Sequence, residues 1–196
     1  MRVAVLAVQG AFIEHIHMLD RLGVATLELR NQDDLARPFD GLILPGGEST
    51  TMGRLLREQG MLAPLQKRIS AGLPVFGTCA GMILLARYLS NQGEADPLPH
   101  FATMDIKVRR NAYGRQLGSF HTVAEMAGLP DFPMTFIRAP YIEAVGPGVE
   151  VLARVEGRII AARQNNQLAT SFHPELTADA RVHELFLRMI KVADAA

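Results

Sequence analysis

The chain has 196 residues, 48% of them apolar and 20% charged, with 20 Lys plus Arg balancing 20 Asp plus Glu. That composition suits a folded single-core domain rather than a disordered segment, and it lacks the basic excess that nucleic-acid binders and polybasic membrane binders direct at phosphate. No apolar run approaches the roughly 20 residues that cross a bilayer, and the single cysteine, Cys79, excludes an internal disulfide or a multi-cysteine zinc site and points to a reducing, cytoplasmic compartment.

Residues 2–8 are almost continuously apolar, as in a parallel strand buried on both faces. Gln9-Gly10 stops this run too early for a secretory signal core, and a charged helix follows instead of a cleavage site. Over 11–22 the period becomes helical, with Phe12, Ile16 and Leu19 on one stripe and Gly23 as the stop. Strands are predicted at 24–29 and 41–44, helices near 50–58 (capped by Ser49 or Thr50) and 62–71, a strand at 73–77 and a helix at 80–89. This alternation of strands and helices predicts a layered α/β domain with a parallel sheet.

The second half is read as a polar loop over 91–101 and short strands near 104–108, 134–138, 149–155, 158–164 and 167–172. Gly157 between two β-prone runs predicts a hairpin. Val182, Leu185, Phe186, Met189 and Ile190 form the apolar stripe of a last helix that Thr177 is placed to cap. No repeat, low-complexity stretch or composition shift divides the chain, so 1–196 is read as one domain.

Three segments are chemically suggestive. In Val75-Phe76-Gly77-Thr78-Cys79-Ala80-Gly81 a strand turns sharply into a helix with the cysteine at the apex. This is the layout of a nucleophile elbow, and the helix N-terminus favours a thiolate. A lone cysteine is more often an inert core thiol, but the flanking glycines favour the elbow. Six histidines could serve such a nucleophile. His15 and His17 point in different directions on a helix and read as solvated or locally satisfied. His100 and His121 fall in irregular or uncertain stretches, and His183 in the last helix. His173 stands out in Ser171-Phe172-His173-Pro174-Glu175. If Pro174 keeps this stretch extended, His173 and Glu175 share a face, as a base and its orienting carboxylate require. The third segment is Leu44-Pro45-Gly46-Gly47-Glu48-Ser49-Thr50. Its glycines let backbone N–H groups approach a ligand as an oxyanion hole does, and the lack of a following Gly-Lys-Ser/Thr disfavours a nucleotide loop.

Taken together and in this order, these segments resemble the class I (triad) glutamine amidotransferases. More narrowly, the chain is similar to the glutaminase subunits of pyridoxal 5'-phosphate synthases. Val8-Gln9-Gly10-Ala11, Glu14-His15, Arg109-Arg110-Asn111, Gly114-Arg115-Gln116, Phe136-Ile137-Arg138-Ala139-Pro140 and Glu175-Leu176-Thr177 carry the narrower likeness, with Tyr113 where phenylalanine is usual. The resemblance implies a flavodoxin-like three-layer fold: a mostly parallel central sheet with helices on both faces. It implies Cys79 as nucleophile, His173 as base and Glu175 as its orienter. Gly47, Glu48, Ser49, Arg110, Ile137 and Arg138 then contact L-glutamine, and Gly47 and Ala80 form the oxyanion hole. It further implies glutamine hydrolysis without metal or cofactor, and ammonia delivery to a synthase subunit that builds pyridoxal 5'-phosphate. Two rival readings are a glutaminase subunit of another synthase, such as imidazole glycerol phosphate synthase, and a catalytically silent partner-binding module. The Gln9-Gly10-Ala11 start disfavours the first and the intact Cys79-His173-Glu175 set disfavours the second. Because a Gly46-Gly47 peptide can take either of two orientations at little steric cost, the isolated chain is expected to be a poor glutaminase that its partner activates, with Gln9 as the sensor.

Overall fold

Strand β1 (Arg2–Leu6) shows how the layers arise. Val3 and Val5 pack into one apolar cluster with Leu19, Phe186 and Ile190, while Ala4 and Leu6 pack into another with Met52, Leu56 and Leu65. A strand apolar from Val3 to Leu6 thus serves two cores, one on each face of the sheet. The structure, a computed structural model, describes residues 1–90, 97–110 and 119–194.

After β1 come α1 (Phe12–Arg21), β2 (Ala25–Leu29), a 3-10 turn (Gln32–Ala36), β3 (Gly41–Leu44), α2 (Ser49–Glu58), α3 (Leu62–Ser70), β4 (Val75–Thr78), α4 (Ala80–Leu85) and β5 (Ala86–Leu89). The second half contributes β6 (Met104–Arg109), β7 (Ser119–Met126), β8 (Leu129–Ile137), β9 (Tyr141–Val145), β10 (Glu150–Val155), β11 (Arg158–Gln164), β12 (Gln167–Thr170), a 3-10 turn (Pro174–Leu176) and α5 (Arg181–Asp194).

The main sheet has 10 strands in the order β2-β1-β3-β4-β12-β11-β9-β6-β5, with β10 paired to β11. From β2 to β12 every neighbour is parallel. Beyond β12 the strands β11, β9 and β6 add antiparallel, and β5 closes the edge parallel to β6. Helices α1 and α5 cover one face and α2, α3 and α4 the other, so the layered α/β expectation holds. The β7–β8 hairpin is a separate two-stranded sheet whose Phe132, Met134 and Phe136 join the core beneath α1 and α5. Strand β4 lies between β3 and β12, and its last residue, Thr78, is registered against Thr170 at the end of β12.

Several local expectations are corrected. The helix predicted over 80–89 ends at Leu85, and Ala86–Leu89 becomes an edge strand whose Tyr88 and Leu89 pair with Lys107 and Val108; sheet pairing overrides local propensity there. Neither Ser49 nor Thr50 caps α2, because Glu48 holds the N-cap position and both are already helical. Thr177 closes the preceding 3-10 turn instead, and Asp179 accepts the Arg181 N–H at the start of α5. Strands β7 and β9 were not anticipated. The hairpin at Gly157 is present, with Glu156 and Gly157 both at positive φ (50° and 76°), as a two-residue turn of this hand requires. Tyr113, Gly114, Arg115, Gln116 and Asn111 lie outside the described residues, as does the 91–96 part of the predicted loop. Among the described residues no helix is long and apolar enough to cross a membrane.

Candidate active site

Cys79 stands between β4 and α4 with φ 49° and ψ −100°, a backbone conformation that costs a non-glycine residue energy and is kept only where surroundings enforce it. The enforcement is visible. The Cys79 N–H donates to Thr170 O at 2.8 Å, tying the elbow to the end of β12. A Cβ on Gly77 would lie 2.6 Å from the carbonyl carbon of Gly81, and one on Gly81 would run into Leu44 O. Both glycines are therefore required by the close passage of α4 over β3 and β4. Sγ points toward Ile137 O, 4.0 Å away at the end of β8.

The candidate base arrives from the neighbouring strand. His173 follows β12, and its N–H donates to Thr135 O of β8 at 2.8 Å. Its Nδ1 meets Glu175 Oε1 at 2.7 Å, and both side chains are buried. The pairing is as expected, but its origin is not an extended segment. Pro174–Leu176 is a 3-10 turn with His173 at its N-cap, and the turn curls the carboxylate back onto the ring. Burial, the largest single influence, pulls the imidazole toward neutrality. Hydrogen bonds to Cys79 and Glu175 and the charges of both outweigh it, and His173 is pushed up to about 10. The ring is thus an imidazolium at neutral pH, held between sulfur and carboxylate.

The glycine turn after β3 lies against this pair. A Cβ on Gly46 would overlap His173 Cε1 and lie 2.9 Å from Nδ1, so the imidazole rests flush on bare backbone. Gly46 O accepts the Ala11 N–H at 2.9 Å, and Glu48 N–H donates to Gln9 Oε1 at 2.8 Å. Gly10, at φ +99°, leaves no room for a side chain, since a Cβ there would strike Gly46 O. The Gln9-Gly10-Ala11 segment is therefore stitched to the Gly46–Glu48 turn by side chain and backbone alike. Ala80 opens α4, so its N–H is one of those that a helix leaves without an internal acceptor.

Six residues are expected to contact glutamine: Gly47, Glu48, Ser49, Arg110, Ile137 and Arg138. Gly47 and Glu48 are exposed, and Ser49 is buried at the first position of α2. Arg110 reaches the same helix start through Nη2 to Thr50 Oγ1 at 2.9 Å. Ile137 is exposed with its carbonyl beside the cysteine, and Arg138 follows at φ 44°, also exposed. Among the described residues no group of three or more His, Cys, Asp or Glu is placed to hold a metal ion.

Sequence reasoning missed what lies behind Glu175. His15 of α1 is fully buried, with Nε2 3.5 Å from Glu175 Oε2 and 3.2 Å from Thr78 Oγ1, and Nδ1 2.9 Å from Nε2 of His183 on α5. Burial first, then the nearby charge of His183 and His173, holds His15 well below the ordinary imidazole range; burial alone brings His183 down to about 4. A signal was available. His15 falls on the stripe of Phe12 and Leu19, and His183 on that of Phe186 and Ile190, where a polar side chain is buried by periodicity.

A strained cysteine at a strand-helix apex, an imidazolium against it and a carboxylate behind the ring have the arrangement that a cysteine-nucleophile hydrolase of the triad type requires. The SNO glutamine amidotransferase family matches residues 5–192, and the chain belongs to that family. It is 57% identical over 194 residues, 97% of this chain and 98% of the relative, to the pyridoxal 5'-phosphate synthase subunit PdxT of Streptococcus pneumoniae (strain ATCC 700669 / Spain 23F-1). A solved glutamine amidotransferase superposes with a TM-score of 0.90 at 45% identity, covering 96% of this chain and 98% of its own. A glutamine amidotransferase from Thermotoga maritima shares the fold at a TM-score of 0.63 and 14% identity, over 100% of this chain and 94% of its own.

Proposed function

We propose that this chain, read as one domain over 1–196, is the glutaminase subunit of a pyridoxal 5'-phosphate synthase. It hydrolyses L-glutamine to glutamate and ammonia, and the ammonia passes to a synthase subunit in a hetero-oligomer that makes the vitamin B6 cofactor. The observation that carries this reading is the His173 imidazolium held between Cys79 and Glu175, in a chain 57% identical to a subunit bearing that synthase's name.

The chemistry follows from the charges. The Cys79 thiolate adds to the side-chain amide carbon, and the oxyanion is held by the N–H groups of Gly47 and Ala80. His173 gives its proton to the departing nitrogen, ammonia leaves, and a γ-glutamyl thioester remains. Acylation removes the thiolate that had kept His173 protonated, so the now neutral ring can take a proton from water. Hydroxide adds to the thioester, glutamate departs, and the thiolate–imidazolium pair is restored. Glu48, Ser49, Arg110, Ile137 and Arg138 supply backbone and charged partners for the α-carboxylate and α-ammonium of glutamine. No step calls for a metal or bound cofactor. A single cysteine, buried and without an internal disulfide partner, supports a cytoplasmic site of action. The test is glutamate release by the chain with and without a pyridoxal 5'-phosphate synthase subunit, together with ammonia incorporation by that subunit. No glutamate in either case would overturn the reading.

A further inference from the structure

We propose that His15 is a positioning residue of this site: its Nε2–H is directed at the outer oxygen of Glu175, and His183 sets the tautomer that keeps it so. The inference rests on the hydrolytic reading above and extends it to a second layer of side chains.

Glu175 has one oxygen engaged by His173 at 2.7 Å; the other, Oε2, is buried and has no hydrogen bond of ordinary length among the described residues. The polar hydrogen offered to it is that of His15 Nε2 at 3.5 Å, with Thr78 Oγ1 beside the same nitrogen at 3.2 Å. A buried carboxylate with an oxygen facing a lone pair is repelled, whereas one facing an N–H is stabilised. Nε2 of His15 therefore carries the hydrogen. A neutral imidazole has only one, so Nδ1 of His15 is an acceptor, and its partner at 2.9 Å, Nε2 of His183, must be the donor. His183 Nδ1 is then a bare lone pair, in agreement with its burial without a partner among the described residues. The reverse assignment would bury an unpaired N–H at His183 Nδ1 and a lone pair opposite Glu175, which is worse at both ends.

The groups facing His15 are Thr78 from β4, Glu175 from the 3-10 turn, His183 from α5 and, edge-on at 6.1 Å, the ring of Phe76. The order of contacts that reaches the sulfur is thus the hydrogen bond of His183 to His15, the 3.5 Å approach of His15 to Glu175, the hydrogen bond of Glu175 to His173, and His173 against Cys79. Holding His15 and His183 neutral leaves the negative charge of Glu175 for His173 alone, which is what an orienting carboxylate needs.

Two measurements test this. In 15N-histidine spectra of the full chain, both His15 and His183 should show Nε2–H tautomers with no titration between about pH 5.5 and 8. An Nδ1–H tautomer at either, or a titration near the ordinary imidazole value, overturns the proposal. In glutamine hydrolysis with the synthase subunit present, His15→Phe should lower kcat about tenfold to a hundredfold, with KM within about twofold. It should also move the acid limb of Cys79 alkylation to higher pH. His15→Gln, which restores an N–H near the Nε2 position, should recover most of both. Wild-type kcat and an unchanged alkylation profile in folded His15→Phe overturn it as well. If His15→Phe fails to fold, the wild-type tautomers and the glutamine variant decide. Should the wild-type complex release no glutamate, the functional reading fails, while tautomers and alkylation still judge the positioning role.

Discussion

Gly46→Ala is the sharpest single test of the geometry. Gly46 does not occupy the positive-φ region, so alanine meets little backbone strain there and its cost is steric. The new methyl would overlap His173 Cε1 and lie 2.9 Å from Nδ1 and 3.3 Å from Nε2, while ordinary contact begins near 3.4 Å. The ring must therefore retreat by about 1 Å. Its side chain is only 7% exposed, which leaves it no solvent to swing into. A retreat of that size stretches the 2.7 Å bond to Glu175 out of hydrogen-bond range and misplaces the proton donor relative to the leaving nitrogen. Displacements of this order cost about a hundredfold in rate, or about 2.7 kcal/mol of barrier. The assay is steady-state glutamate release at saturating glutamine and synthase subunit, with circular dichroism and a thermal melt to establish that the variant is folded. A folded Gly46→Ala enzyme with kcat within about threefold of wild type would refute the claim that the imidazole is held against this glycine.

The other expectations concern charge and coupling. Cys79→Ala should abolish glutamate release while the fold and partner binding persist, His173→Ala should be nearly as damaging, and Glu175→Gln milder than either, all read from kcat in the same assay. Because His173 is raised to about 10 in the folded state, its contribution to stability is complete below the unfolded value near 6.5 and is lost as pH rises through about 10. Urea midpoints should therefore fall across that range, and less so in Cys79→Ala. His183 has the opposite sign: lowered to about 4, it costs stability as pH falls from about 6.5 toward 4, and His183→Phe should flatten that acid decline. Since Gln9 Oε1 accepts the Glu48 N–H, Gln9→Ala should loosen the turn that carries Gly47. The chain alone is expected to release glutamate slowly, the synthase subunit to accelerate it, and Gln9→Ala to blunt that acceleration; equal rates with and without the subunit would dismiss the coupling.

What could be read ahead of the structure was what lies local in the chain. The β1, β3 and β4 runs, the stripes of α1 and α5, the elbow and the Gly157 turn each depend on residues within a few positions of one another. What could not be read depends on distant pairing. β5 forms because β6 is there to receive it, β9 because β6 and β11 flank it, and the helix predicted through 89 yields to that pairing. The site divides the same way. Cys79, His173 and Glu175 stand in short motifs, whereas Thr135 O, Ile137 O, His15 and His183 reach the centre only through packing of the hairpin, α1 and α5.

The register of Thr78 against Thr170 has a consequence for how this protein is made. The proposed nucleophile and base follow two neighbouring strands about 90 residues apart in the chain, and among the described residues β12 is the last strand to be synthesised. A nascent chain that stops short of β12 carries Cys79 but neither Thr170 O to fix its elbow nor His173 to ionise it. Each residue rises about 3.3 Å along a parallel strand, so a slip of two residues in this pairing would shift His173 by about 7 Å from its native place beside Cys79. Long-range parallel pairing of this kind is slow to form. With Cys79 as the proposed nucleophile, the thiol is expected to stay silent through synthesis and in misregistered chains, and glutamine hydrolysis would report that the sheet has closed correctly.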